Sequence, residues 1–267
     1  MSFNNITTKL QGSNSLADEL MSSTPQESIS QSAPPVIPQD TELYVVPSNG
    51  VFYNGVKTVS LSLLTMGQVV DVEKVYACKD AYEQFTKFVG IVNSSVYGVP
   101  TLELTLQDFY AVCYWLRLNS YKKEPITIQM EVEDANGVPK TMIGSVLSDS
   151  IEAITLNNFI GNPEYDYPRV RDQLFAMQYS AELSNIEKTY FPYVAGGTPE
   201  EKLANFRAMR ADKVELLNKY IYDSYHGVKT IAKIKLPDGK IREEELKFDF
   251  TMFFPRIILE AFYSNLL

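Results

Sequence analysis

The sequence predicts an α+β fold, in which helices combine with two similar helix-plus-β-hairpin units behind a disordered N-terminal tail. Three observations carry this reading. Twice, apolar residues recurring at three and four positions give way to a period of two and then a turn. Hydrophobic residues fill 45% of 267 positions, which is ample material for a core. The first forty residues, by contrast, are rich in Ser, Asn, Gln and Thr and close on a Pro-rich run, so they hold too little apolar surface to offset ordering. The expected organisation is a tail over 1–40, a β/helix/hairpin unit over 41–162 and a helical/hairpin unit over 163–267.

In order, Leu16, Leu20 and Met21 form the one short amphipathic cluster of the tail and are its candidate partner-binding residues. Residues 43–64 read as β structure with a turn at Pro47-Ser48-Asn49-Gly50 and a second, tight hairpin at Tyr53-Asn54-Gly55-Val56. Val69, Val72 and Val75 mark a helix from Met66, and Phe85, Phe88, Val89 and Val92 mark another over 82–92.

The first unit begins at Thr105, which with Asp108 has the spacing of a capping box and suits the helix dipole. Phe109, Val112, Cys113 and Leu116 then give a stripe wide enough for burial on more than one side, ending near Asn119-Ser120-Tyr121. Ile126, Ile128, Met130 and Val132 alternate with polar residues, Asn136-Gly137 can turn, and 141–146 can return.

A short strand and loop are expected over 148–162, followed by a long helix over 169–190 and a break over 192–197. Thr198-Pro199-Glu200-Glu201 has a cap hydroxyl, Pro at the first position and acids in the first turn, so a helix starts there. The second unit repeats the first: Asp212 as cap, a stripe of Val214, Leu217 and Ile221, Ser224-Tyr225, a strand over 230–236, a turn at Asp238-Gly239 and a return over 241–250. An apolar helix from Pro255 closes the chain.

Net charge of −9 disfavours wrapping nucleic acid or docking on anionic lipid, both of which need clustered Lys and Arg. No apolar run has the length of a membrane span and the N-terminus does not read as a signal peptide, so the chain is expected to stay where it is made. Cys78 and Cys113 both lie in apolar helical patterns and are expected to be reduced and packed. His226 is the one histidine, at the joint between helix and hairpin, where a ring packs or caps carbonyls. No nucleophile elbow, phosphate-binding glycine loop or zinc-spaced Cys pair occurs. Glu131 and Glu133 could supply an acid and a base, yet carboxylates at a hairpin tip are solvated and lack the raised pKa such an acid needs. The chain is therefore expected to have no catalytic, cofactor or metal site and no small-molecule substrate. Seventeen Tyr and fourteen Phe, many near turns, favour work at protein interfaces.

Three segments together carry a resemblance: Val46-Pro47-Ser48-Asn49-Gly50-Val51-Phe52-Tyr53, Leu104-Thr105-Leu106-Gln107-Asp108-Phe109 with Leu116 to Tyr121, and Tyr225-His226-Gly227-Val228 with Phe248 to Phe254. In order and spacing, over about residues 41–255, the chain resembles the baseplate hub subunit family of T-even-like contractile-tailed bacteriophages. The resemblance implies a structural or assembly protein of the tail baseplate hub, made in the host cytoplasm and then placed in the virion tail, with other phage tail and baseplate proteins as partners. It implies no reaction. Family members often carry paired cysteines on the hairpin strands, resembling zinc ribbons; this chain has no Cys over 130–138 or 234–240, so no metal is carried over. An assembly chaperone absent from the finished particle is the nearest alternative, and a tail-associated cell-wall hydrolase is the alternative from another class.

Overall fold

The computed structural model describes residues 40–121, 126–133, 139–146, 151–157, 159–236 and 239–245. Over these the protein is α+β, with seven α-helices and two antiparallel sheets. Strands β1 (Thr41–Val45), β2 (Thr58–Ser62) and β3 (Val96–Tyr97) form one sheet in that order. The other joins β4 (Ile126–Glu133), β5 (Pro139–Val146), β6 (Ile151–Ile154), β7 (Gly227–Lys235) and β8 (Ile241–Glu245). Residues of β7 pair with β5, β6 and β8, so strands from both halves of the sequence share this sheet.

Helix α1 (Met66–Ala77) buries Val69, Val72 and Val75, and α2 (Ala81–Asn93) buries Phe85, Phe88, Val89 and Val92, as the periods predict. A full capping box starts α1: Thr65 Oγ1 accepts from Gln68 N–H, and the Gln68 side chain accepts from Thr65 N–H at 2.7 Å. Helix α3 (Leu106–Ser120) runs from Thr105 to a C-cap at Tyr121. It is buried on several sides, packing Phe109 edge-on against both Phe85 and Phe88 and placing Leu116 and Val112 in the same core as Val59, Leu61, Ile126 and Ala232. α4 (Val170–Gln178), α5 (Asn185–Tyr190), α6 (Pro199–Ala208) and α7 (Val214–Asp223) follow. They pack around two smaller clusters, one on Phe175 and Phe191 and one on Tyr165 and Tyr220.

Several expectations change. The long helix over 169–190 is two helices, because α4 ends at the C-cap Tyr179 and a new capping box of Ser184 and Glu187 starts α5. Asp212 does not cap α7: a 3-10 turn over Ala211–Lys213 intervenes, the N-cap is Lys213, and the Asp212 carboxylate instead holds Arg210 at 2.7 Å. Cys78 lies just beyond α1 as its C-cap, half-buried, while Cys113 is buried within α3. The turns at 47–50 and 53–56 belong to one compact loop joining β1 to β2, closed by Val46 N–H to the Lys57 carbonyl at 3.0 Å, and no second hairpin forms there. Residues 1–39, the turns at Asn136-Gly137 and Asp238, and the segment 246–267 lie outside the described residues.

Gly50 makes this loop possible. Its φ is +77°, and a Cβ there would sit 2.7 Å from the Val56 carbonyl oxygen. Gly50→Ala is expected to lower stability by about 1–3 kcal/mol, since a side chain must take a left-handed backbone and displace main chain as well. Urea titration measures this, and an unchanged midpoint would show that the loop yields freely.

Candidate functional site

Described residues from each of the three segments quoted for the resemblance converge on one buried polar junction. The Tyr53 hydroxyl donates to Asp108 Oδ2 at 2.6 Å and accepts from Thr105 N–H at 2.7 Å. Asp108 N–H donates to Thr105 Oγ1 at 3.2 Å, which is the expected cap. The reciprocal half of the expected capping box is replaced. Asp108 Oδ1 turns away to take Ser48 N–H at 2.9 Å, so a carboxylate that reads locally as a helix cap ties α3 to the β1–β2 loop.

His226 completes the junction. Its Nδ1 lies 2.8 Å from the Ser224 carbonyl, which can only accept, so Nδ1 carries the proton. Nε2 is then the acceptor for the Thr105 hydroxyl at 2.9 Å. The ring stacks on Phe52 at 5.4 Å and tilts against Tyr167 at 4.5 Å. Next to it Gly227, at φ +132°, starts β7 so close to α3 that a Cβ would meet Gln107 Oε1 at 2.7 Å. Thr105, Asp108 and His226 are all fully buried. Burial lowers the His226 pKa below its ordinary 6.5, against the opposing pull of Asp108 and of the Ser224 carbonyl. Burial likewise pushes the Tyr53 hydroxyl well up, with Asp108 adding to the effect.

The sign of the pH effect follows. Below about pH 6.5 the unfolded chain binds a proton at position 226 that the folded chain refuses, so stability falls as pH drops through this value and is fully present above it. Because there is one histidine, a His226→Gln variant is expected to lose this step between pH 7.5 and 5.5 while keeping the acid response of the carboxylates. Urea midpoints at several pH values measure it. An identical pH response in the variant would exclude His226 as its source.

A second polar centre lies among α4, α6 and the segments beside them. Lys202, fully buried, places Nζ 2.7 Å from Asp172 Oδ2, 3.1 Å from Asp166 Oδ2 and 3.1 Å from the Pro192 carbonyl. Arg169 and Arg171 clasp Glu103 at 3.1 and 2.6 Å. Burial pushes the Asp166 carboxyl up, but Lys202 and Arg169 together outweigh it and hold the group below its ordinary value. Outside this centre, a groove of about 460 Å³ runs past Tyr165, Val194, Asn205, Met209, Arg210 and Lys213. Its cations are engaged, Arg210 by Asp212 and Lys213 by Glu164.

Leu16, Leu20 and Met21 lie outside the described residues. Glu131 and Glu133 are on β4, opposite Thr141 and Pro139 in the β4–β5 register. Of the tyrosines, Tyr53, Tyr114, Tyr165, Tyr167 and Tyr220 pack inside, whereas Tyr222 and Tyr225 are exposed on and just after α7. Among the described residues no helix is long and apolar enough to cross a membrane, and no three His, Cys, Asp or Glu side chains are grouped to hold a metal ion. Sequence reasoning placed Thr105 and His226 correctly as cap and packed ring but missed the contact between them, which spans 121 positions. The Lys202 centre was missed altogether; a lysine on the inner side of a helix, four residues after the cap Thr198, was the available signal.

Comparison of the chain with protein-family models, with curated proteins and with solved structures returned no match.

Proposed function

We propose that this chain is a structural or assembly protein of the tail baseplate hub of a contractile-tailed bacteriophage, working through protein interfaces without catalysis. One observation supports the reading most. Described parts of the segments that carry the resemblance, widely spaced in sequence, meet through the Ser48 N–H and the side chains of Phe52, Tyr53, Thr105, Asp108 and His226. A motif set that specifies one packed junction is what a family of folds, as opposed to a family of active sites, holds in common. Thr105, His226 and Asp108 are residue types that a hydrolase could use, but they are sealed from solvent and their polar atoms are bound to one another, to Tyr53 and to main chain.

On this reading the protein is made in the host cytoplasm, meets other tail and baseplate proteins there, and enters the virion with them. Mass spectrometry of purified virions is expected to find it at a few copies per particle. Recovery with tail proteins from infected cells but absence from virions would identify an assembly chaperone, and absence from both virions and tail-protein complexes would overturn the proposal. Deleting residues 1–40, which removes Leu16, Leu20 and Met21, is expected to leave the thermal midpoint unchanged and to weaken co-purification with tail proteins. Full recovery of partners with the truncated chain would rule out a tethering role for this segment.

We also infer that the two helix-plus-hairpin units arose by duplication. In support, α3 is followed by the antiparallel pair β4–β5, and α7 by the antiparallel pair β7–β8, in one sheet. A structure including both turns is expected to superpose 105–146 on 212–250 with the same hand, and opposite hands would refute common origin.

A further inference from the structure

The three-stranded sheet has two unlike edges. On one side β3 is only two residues long and offers almost nothing to pair with. On the other, β1 runs for five residues, and among the described residues no strand covers its outer edge.

The phase of the ladder identifies which groups face outward. Val46 N–H bonds to the Lys57 carbonyl, its direct partner in the β1–β2 register, so 46 and 57 form a hydrogen-bonded pair. Pairs alternate along an antiparallel ladder, so Tyr44 with Val59 and Glu42 with Leu61 are hydrogen-bonded too. Thr41, Leu43 and Val45 therefore direct N–H and C=O away from β2. The far side of β2 agrees, because Ser62 N–H bonds to the Ser95 carbonyl and so faces β3. The same three residues carry their side chains on the uncovered face of the sheet, where Leu43 is 76% and Val45 58% exposed, while Tyr44 points inward against Trp115. Edges of this kind are ordinarily guarded by Lys, Pro, a bulge or a charge; Thr41, Leu43 and Val45 supply none of these, and the one charge on β1 is Glu42 on the inner face.

We propose that β1 is a self-association edge, pairing antiparallel with β1 of a second copy of this chain about a two-fold axis at Leu43. The strand is complementary to itself in this register. Leu43 faces Leu43 of the partner copy and Thr41 faces its Val45, and each of these pairs joins residues whose main-chain groups point outward, so each exchanges two hydrogen bonds. On the inner face Glu42 falls opposite Tyr44, so no like charges meet. Each copy's β1 edge is consumed by the other's, so the contact is isologous and closes as a dimer with a six-stranded sheet, and it does not propagate through β1. The inference rests on strand geometry and is independent of the phage reading.

Sedimentation velocity on the full chain is expected to find a species of twice the chain mass that dissociates on dilution. Leu43→Pro removes an outward N–H but no β1–β2 bond, a position where an edge strand tolerates proline, so it is expected to be folded by circular dichroism and monomeric. Leu43→Cys places two thiols across the axis in a hydrogen-bonded pair, with Cα atoms about 5.5 Å apart and within disulfide range, so mild oxidation is expected to yield a covalent dimer. Glu42→Cys, off the axis, and the unmodified chain with Cys78 and Cys113 are the controls expected not to crosslink. If Leu43→Pro does not fold, the crosslink decides. A monomer at every concentration, a dimer that persists in folded Leu43→Pro, or capture only of a different protein's strand would each overturn the proposal.

Discussion

Replacing Lys202 with Met is expected to lower the stability of the folded chain by about 3–5 kcal/mol, the range for breaking a buried ion pair by removing one partner. Lys202 and Asp172 are both fully buried, and their 2.7 Å contact is the main compensation the Asp172 carboxylate has for leaving water. Asp166 would suffer less, because Arg169 and the Tyr167 N–H still serve it. The test of this assignment is the double variant. Lys202→Met with Asp172→Asn removes both charges, and it is expected to recover most of the loss, as replacement of a whole buried pair often does. Urea unfolding of the two single variants and the double closes the cycle. If Lys202→Met costs under about 1 kcal/mol, the pair behaves like an exposed one and the centre is not holding α6 to α4.

Asp108→Ala should cost about 2–6 kcal/mol, because it orphans two buried donors at about 1–3 kcal/mol each: the Tyr53 hydroxyl and the Ser48 N–H. Tyr53→Phe orphans Thr105 N–H and leaves the carboxylate one donor short, so it should cost less. The two losses share one network, and the double variant is expected to fall well short of their sum. Strict additivity, measured by the same unfolding cycle, would mean that the two side chains act separately and that the junction is not a unit.

Much of this fold is legible locally. α1, α2, α3 and α6 follow from apolar spacing and caps, and β4, β5 and β7 from alternation and turns, because those signals compare residues within a dozen positions. What escaped depends on the third dimension. The stripe from Leu174 to Leu183 suited one long helix, yet Ser184 and Glu187 formed a stronger local start that the stripe obscured. Tyr53-Asn54-Gly55-Val56 has hairpin composition, and Asn54 does take positive φ, but the chain needed both turns to coil one loop against α3. The junction was half-visible. The cap at Thr105 could be read from four residues, whereas the partners of Asp108 lie 60 and 55 positions away and those of Thr105 up to 121 away. Lys202 offered one local signal, its place beside Leu203 on the inner side of α6, but the partners Asp166 and Asp172 that make its burial possible lie 36 and 30 positions away.

The shared strand β7 also sets a timetable. Gly144 on β5 finds its partner Ile234 about 90 residues further along, so at a synthesis rate of about 5–20 residues per second the nascent chain holds β5 and β6 ready for several seconds before β7 has been made. For that interval a folding intermediate can contain the β1–β3 sheet and α1 to α3, but the edges that will receive β7 stand open, and His226 is not yet present to close the junction at Thr105. The chain's last described hairpin is thus also its latch. Until β7 arrives, the main-chain groups of β5 and β6 that it will pair are left without that partner.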